Sequence, residues 1–319
     1  MIALASPASL KGVLTPREAS AALAVGMRRI DGVEVDEAPV ADGGEGTALV
    51  LEQALGGEWH RAVVADPLGR PVTATWLVLP DGTAVVECAE AVGLTRLAPR
   101  ELDPLRASSL GAGELVLAAL ARRPTALLVC VGGTATVDGG AGMREVLEGA
   151  LRAVPVRVAC DVRNPLLGER GAARVFGPQK GADADTVKQL EARLAALDEL
   201  EPFRELAGAG AGGGLGAAFA ALGGELVAGA DLVLDMIDFD TRAAVSSIVI
   251  SGEGTVDATT LEGKAPGAVQ RRCRALGVRC ELFGGLVRDG IRAHRLSGRP
   301  ASARRDLERL GEELVAALS

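Results

Sequence analysis

Three short strings combine the residue types that handle anions and protons. They are Asp42-Gly43-Gly44-Glu45-Gly46-Thr47, Gly132-Gly133-Thr134-Ala135-Thr136-Val137-Asp138-Gly139-Gly140 and Gly252-Glu253-Gly254-Thr255-Val256-Asp257. Glycine lets a backbone come close to a ligand, and amide N–H groups at helix starts point at an oxyanion. Carboxylates repel an anion, so the acids need another purpose. A Mg²⁺ ion shared between carboxylate and phosphate would supply one, and a base taking a proton from a hydroxyl another. Turn glycines with Asp or Glu capping helices would account for one such string alone; three of the same make-up favour the anionic ligand. Lysine usage points the same way. Four of the 34 basic residues are Lys, and three of those, Lys11, Lys180 and Lys264, adjoin a glycine. An ammonium is a compact charge that can meet a phosphate oxygen, and Arg does not replace it. Lys180, in Phe176-Gly177-Pro178-Gln179-Lys180-Gly181, reads locally either as exposed decoration or as a phosphate or carboxylate contact.

Such strings act only if strands and helices hold them. Residues 1–5 read as a buried strand. Thr15 as N-cap, Pro16 at the first helical position and Glu18 closing a capping box open a helix with Ala19, Ala22, Leu23 and Met27 on one face. Period-two alternation around Pro80-Asp81-Gly82 predicts a hairpin of 70–79 and 83–88. Further strands are predicted over 33–40, 126–131, 156–159, 247–250 and 278–283. Helices are predicted over 47–55, 110–121, 141–150, 183–200, 215–222, 265–276 and 303–318, and 251–257 as a loop. Alternating strands and helices define an α/β chain. The hairpin-rich stretch predicts two domains: a Rossmann-like doubly wound domain built from both chain ends, 1–57 and 240–319, and an inserted mixed α/β domain, 58–239. In an open α/β sheet the glycine strings would gather at the carboxyl ends of strands. Generic nucleotide motifs fail. Gly263-Lys264 is followed by Ala265, which breaks a P-loop, and Gly208-Ala209-Gly210-Ala211-Gly212-Gly213 follows no strand, which argues against a nicotinamide-dependent dehydrogenase.

Composition narrows the classes further. The 319 residues are 48% hydrophobic and carry a formal charge of −8 with 2% aromatics, a poor basis for binding nucleic acid. No uninterrupted apolar run of about 18 residues predicts a membrane span, and the N-terminus lacks the basic start of a signal peptide. Five cysteines without C-x-x-C spacing argue against zinc and disulfide frameworks and for a reducing cytoplasmic setting. His60 and His294 read as structurally ordinary.

Taken in order, further strings make the pattern specific: Asp66-Pro67-Leu68-Gly69-Arg70, Ala159-Cys160-Asp161, Asn164-Pro165-Leu166, Val175 to Gly181, the glycine cluster 208–216 and Gly263-Lys264-Ala265-Pro266. With the three glycine strings they resemble the class I glycerate kinases over residues 5–287. The resemblance implies phosphorylation of D-glycerate by ATP with Mg²⁺, usually at the 2-hydroxyl, in a cleft between two α/β domains. On that basis Lys11 and Lys180 neutralise the transferring phosphate or hold the glycerate carboxylate. Arg70 and Asn164 contact substrate, and Asp138 or Asp161 is the base. Gly43, Gly44, Thr47, Gly132, Gly133, Thr134, Gly252, Gly254 and Lys264 bind nucleotide phosphate, and Asp42, Glu253 and Asp257 hold the metal. The expected partners are glycerate and ATP, with no nucleic acid or membrane, and a homodimer stays open. The chain also departs from the family pattern. Ala8 stands where Asp is usual, Val137 where Asn is usual, and the connection from Ala150 to Val156 lacks several tens of residues. The region after Leu286 is also shortened. A catalytically weakened relative that binds a ligand or regulates is therefore the alternative expectation.

Overall fold

The computed structural model describes residues 1–258, 260, 263–288 and 290–318, and of Arg152 and Ala153 the backbone alone. The chain opens with β1 (Ile2–Ala5), α1 (Pro16–Met27), β2 (Glu34–Glu37) and α2 (Thr47–Leu55). β3 (Glu58–Ala65), β4 (Pro71–Val78), β5 (Thr83–Glu87), α3 (Ala89–Val92) and α4 (Leu110–Leu120) follow. Next come β6 (Ala126–Cys130), α5 (Ala141–Leu147), β7 (Val156–Ala159), α6 (Ala172–Phe176), α7 (Ala184–Ala195), α8 (Leu215–Ala221) and β8 (Glu225–Val227). The order ends with α9 (Gly229–Met236), α10 (Phe239–Ala244), β9 (Ile248–Val256), α11 (Ala265–Leu276), β10 (Cys280–Val287), β11 (His294–Arg295) and α12 (Ala303–Ala316). Two compact units result: Met1–Asp42, Leu49–Ala54 and Ala230–Ser319 form the first, Gly43–Ala48 and Leu55–Gly229 the second. Among the described residues no helix is long and apolar enough to cross a membrane.

The first unit holds a five-stranded parallel sheet in the order β11-β10-β9-β1-β2. From β1 the chain winds outward to β2, and from β9 it winds the other way to β10 and β11. The winding reverses between β1 and β9, and the carboxyl ends at such a switch point are where an open α/β sheet offers a crevice. Ala3, Ala5, Ile248, Ile250 and Phe283 of the strands are buried with Leu23 and Met27 of α1 and Leu307 and Leu310 of α12. The capping box at Thr15 forms as its sequence demands: the Thr15 hydroxyl accepts from the Glu18 amide, and the Glu18 carboxylate accepts from the Thr15 amide. The helix is buried on more than its predicted face because α12 lies against it. Gly26 is the point of closest approach, where a Cβ would sit 1.7 Å from the Glu308 carbonyl oxygen.

The second unit holds six strands in the order β3-β4-β5-β6-β7-β8. β3 pairs antiparallel with β4, and β4 with β5 through the predicted hairpin, whose Gly82 takes φ +85°, while β5 to β8 pair parallel. Val86, Leu127, Val129 and Val158 form the strand side of its core, and Leu115, Met143 and Phe219 the helix side. β6 is an unbroken apolar run, as a parallel strand covered on both faces must be.

Several expectations need correction. Residues 251–256 are not a loop: β9 continues to Val256, with Gly252 opposite Phe283, Glu253 opposite Gly284 and Thr255 opposite Leu286 of β10. Small residues on both strands allow it, since a Cβ on Gly252 would lie 2.2 Å from the Phe283 carbonyl oxygen. The strand expected over 33–40 is confined to Glu34–Glu37, and the helix expected over 183–200 ends at Ala195 before a 3-10 turn, Asp198–Phe203, that contains Pro202. β8, α9, α10 and β11 escape the periodicity reading because they are short.

Candidate active site

In the second unit, the segment 43–47 lies across the carboxyl ends of three neighbouring parallel strands. A Cβ on Gly43 would come within 2.7 Å of Ala159 Cβ at the end of β7. One on Gly132, just past β6, would come within 2.8 Å of Gly44 Cα, and one on Gly133 within 3.0 Å of Glu45 Cγ. Gly43 and Gly46 take φ of +82° and +90°, conformations that cost other residues about 1–2 kcal/mol. At the end of β5, the Glu87 carboxylate accepts from the Gly46 amide at 3.1 Å and the Ala48 amide at 2.7 Å. Thr47 is buried and its hydroxyl donates to the Gly44 carbonyl at 2.8 Å. Gly43, Gly44, Thr47, Gly132 and Gly133 are thus brought together.

The 132–140 segment joins this assembly to Lys180. That side chain is 3% exposed, and its Nζ donates to the Thr136 carbonyl at 2.8 Å. Burial pushes its ammonium down to about 7, while the charge of Asp138 works in the opposite direction. The position is built by the 3-10 turn Pro178–Lys180 and closed by Gly181 at φ +99°. Gly213 of the glycine cluster packs on the same carbonyl: a Cβ there would stand 1.9 Å from the Thr136 oxygen. The hydroxyls of Thr134 and Thr136 are buried and have no hydrogen-bond partner among the described residues. Asp138 is engaged. One oxygen accepts from the Ser109 amide and hydroxyl at 2.8 and 2.7 Å, the other from the Gly140 amide at 3.1 Å. Asp161 follows β7 in a half-buried position beside Cys160, whose thiol is pushed up to about 12 by burial and by that neighbouring charge.

In the first unit, the chain leaving β1 lies beside β9 at the switch point. The Ala8 amide donates to the Gly252 carbonyl at 2.9 Å, and the Lys11 backbone passes Gly254. Lys11 itself is exposed. Lys264 immediately precedes α11 and places Nζ 3.5 Å from Glu253 and 4.0 Å from Asp257. Glu253 also accepts from the Thr260 hydroxyl at 2.6 Å. Burial holds its carboxyl above the usual carboxylate range, and the charge of Asp42 adds to that shift. Among the described residues no group of three His, Cys, Asp or Glu side chains is assembled to hold a metal ion.

Two expected substrate contacts also hold local structure. Arg70 pairs with Asp66 and, at 2.7 Å, with Glu101. The Asn164 amide donates to the Arg170 carbonyl at 2.7 Å. Gly252 and Gly254, expected in a phosphate loop, belong to the β9 ladder. The sequence reading missed Glu87, Ser109 and Thr260. An acid directly after the apolar Ala84-Val85-Val86 was the available signal for Glu87.

Parallel strand ends carrying glycine-lined backbone, a buried lysine and carboxylates define an α/β enzyme. The glycerate kinase family model matches residues 3–151 and 145–303, two stretches that meet at the short connection into β7. The glycerate kinase of Bacillus subtilis (strain 168) is 37% identical over 312 residues, 86% of this chain and 82% of that protein. The glycerate 2-kinase of Escherichia coli (strain K12) is 36% identical over 300 residues, 82% and 79% of the two chains. A crystal structure described as glycerate kinase 2 from Salmonella typhimurium LT2 is similar with a TM-score of 0.83 and 32% identity, covering 100% of this chain and 98% of that one. The chain belongs to the glycerate kinase family and is a kinase.

Proposed function

We propose that this enzyme transfers the γ-phosphoryl group of ATP to the 2-hydroxyl of D-glycerate in the cytoplasm, giving 2-phosphoglycerate and ADP. The hydroxyl oxygen forms a bond to the γ-phosphorus as the bond to the β,γ-bridging oxygen breaks. The hydroxyl proton passes to a base and ADP departs. Such a transfer asks mainly for positioning and for charge on the phosphoryl oxygens. The observation that carries the reading is Lys180, buried with its Nζ donating to the Thr136 carbonyl of a segment whose Thr134 and Thr136 hydroxyls have no hydrogen-bond partner among the described residues. A buried ammonium with polar neighbours still to be satisfied suits an anionic guest.

We take Asp161, half-buried directly after β7, as the base. Asp138 then positions the 132–140 segment and helps keep Lys180 charged. Lys11 and Lys264 supply further positive charge to phosphate oxygens. Arg70 holds its turn through Nε to Asp66 and Nη1 to Glu101, and neither contact uses Nη2, which would meet the substrate carboxylate. The donor chemistry around Glu253 fits Mg²⁺, a hard ion that takes one or two carboxylates and completes its shell with water and phosphate oxygens. Glu253, raised by burial and by Asp42, would recover its charge beside a cation, with Asp42 or Asp257 as a second oxygen donor. When bound, the ion would neutralise charge on the β- and γ-phosphate oxygens.

Similarity to relatives named as glycerate kinases favours an enzyme over the regulatory alternative. Incubation of the purified protein with ATP, MgCl₂ and D-glycerate, followed by ADP release and phosphorus NMR, tests the proposal. ADP formed only with D-glycerate, and a resonance coupled to the C2 proton, are expected. No glycerate-dependent ADP would overturn the activity, and coupling to the C3 protons would overturn the regiochemistry.

A further inference from the structure

Glu87 lies outside every role assigned so far. It ends β5, is 8% exposed, and turns its carboxylate towards the start of α2. Oε2 accepts from the Gly46 amide at 3.1 Å and Oε1 from the Ala48 amide at 2.7 Å. Between them, the Thr47 amide and hydroxyl both turn back to the Gly44 carbonyl, at 3.3 and 2.8 Å. Glu87 is thus a two-point clamp on the glycine segment that crosses the ends of β5, β6 and β7. It also grips the chain where the first unit passes into the second at Asp42 and returns at Leu49. The clamp depends on charge. An ionised carboxylate has acceptors for both amides and suits a helix N-terminus, whereas a neutral acid presents an O–H towards one of them.

We propose that Glu87 is a positioning residue whose ionised carboxylate fixes the 43–47 segment through the Gly46 and Ala48 amides, so that protonation releases the segment and slows phosphoryl transfer. The slowing rests on the function proposed above; the release does not.

The surroundings bring this event near neutrality. Glu45 faces the carboxylate from the segment itself and Glu90 from α3, both as repelling charges. Glu45 accepts from the Thr95 hydroxyl, and Glu90 accepts from Thr75 with Arg96 at 3.6 Å. Cys88, next in the chain, stays a neutral thiol, pushed up to about 12 by burial and by Glu87. Burial, Glu90 and Glu45 raise the Glu87 carboxyl to about 7 against the pull of the two amides.

The experiment compares full-length wild type with Glu87→Gln and Glu87→Asp. Hydrogen–deuterium exchange of peptides spanning 43–50, corrected for intrinsic rates, is followed between about pH 6 and 8 alongside steady-state kinetics with ATP, Mg²⁺ and D-glycerate. In the wild type, protection of that peptide falls several-fold as pH drops through 7, while β6 and β10 peptides stay constant. In Glu87→Gln, protection is low and independent of pH, kcat at about pH 8 falls about tenfold, and the acid limb due to this group disappears from the profile. Glu87→Asp keeps the limb. Lys180 titrates in the same range, so the limb is assigned by the difference between wild type and variant. Wild-type protection that ignores pH overturns the proposal, and so does a Gln variant with wild-type protection and profile. Should the Gln variant fail to fold, the wild-type exchange series decides alone. Absence of turnover with the exchange pattern intact overturns the kinase reading and leaves the clamp standing.

Discussion

Lys180 would be an exposed, permanently charged side chain if its turn faced water. Instead desolvation brings it to about 7, so a modest change in its surroundings, such as an arriving phosphate, decides whether it carries a proton. Lys180→Met is therefore expected to lower kcat about 100-fold or more with little loss of Tm, and steady-state kinetics with a thermal melt would check it. Lys180→Arg is not expected to rescue, because a planar guanidinium does not fit the space of an ammonium. The two aspartates should separate by readout. Asp138→Asn turns an amide NH₂ towards donors from Ser109 and Gly140, so urea unfolding should show a loss of about 1–3 kcal/mol. Asp161→Asn should reduce kcat, as a lost base would. The reverse pattern would exchange their roles.

Elements transmit these requirements through glycine. Gly213 takes φ +74°, and a Cβ there would meet the Thr136 carbonyl that holds Lys180. Gly213→Ala should thus cost about 2 kcal/mol or more and also lower kcat. Gly26→Ala, between α1 and α12, should lower Tm while the folded fraction keeps its kcat, because the collision is with Glu308 in a helix contact away from the strand ends. Measuring both variants by melting and by turnover per folded molecule separates packing from positioning. The same close approach accompanies the extension of β9 to Val256, where Gly252 lies opposite Phe283 and Glu253 opposite Gly284.

For the molecule as a whole, Glu87 and Lys180 make stability depend on pH from opposite sides of neutrality. Glu87 binds its proton more tightly when folded, so its stabilising contribution is complete below about 4.5 and is lost as pH rises through about 7. Lys180 binds its proton less tightly when folded, so its contribution is complete above about 10.5 and is lost as pH falls through about 7. Relative to wild type, Glu87→Gln should gain Tm as pH rises from about 5 to 7, and Lys180→Met should gain Tm as pH falls from about 10 to 7; melting series over those ranges check both signs. Much of this architecture was legible in local patterns. The capping box at Thr15, the hairpin at Gly82 and the apolar run of β6 are decided by neighbours a few residues apart, so composition and spacing determine them. The strings that carry the family resemblance are equally local. Tertiary structure alone decided that Lys180 is buried, that Asp138 is engaged by Ser109, that Arg70 is held by Glu101, and that residues 251–256 stay in a strand. It alone brought Glu87 to Gly46 and Ala48, some forty positions earlier in the chain. Desolvation and hydrogen-bond partnership depend on which distant segments fold over a side chain, and a linear pattern records only the residue, not what covers it.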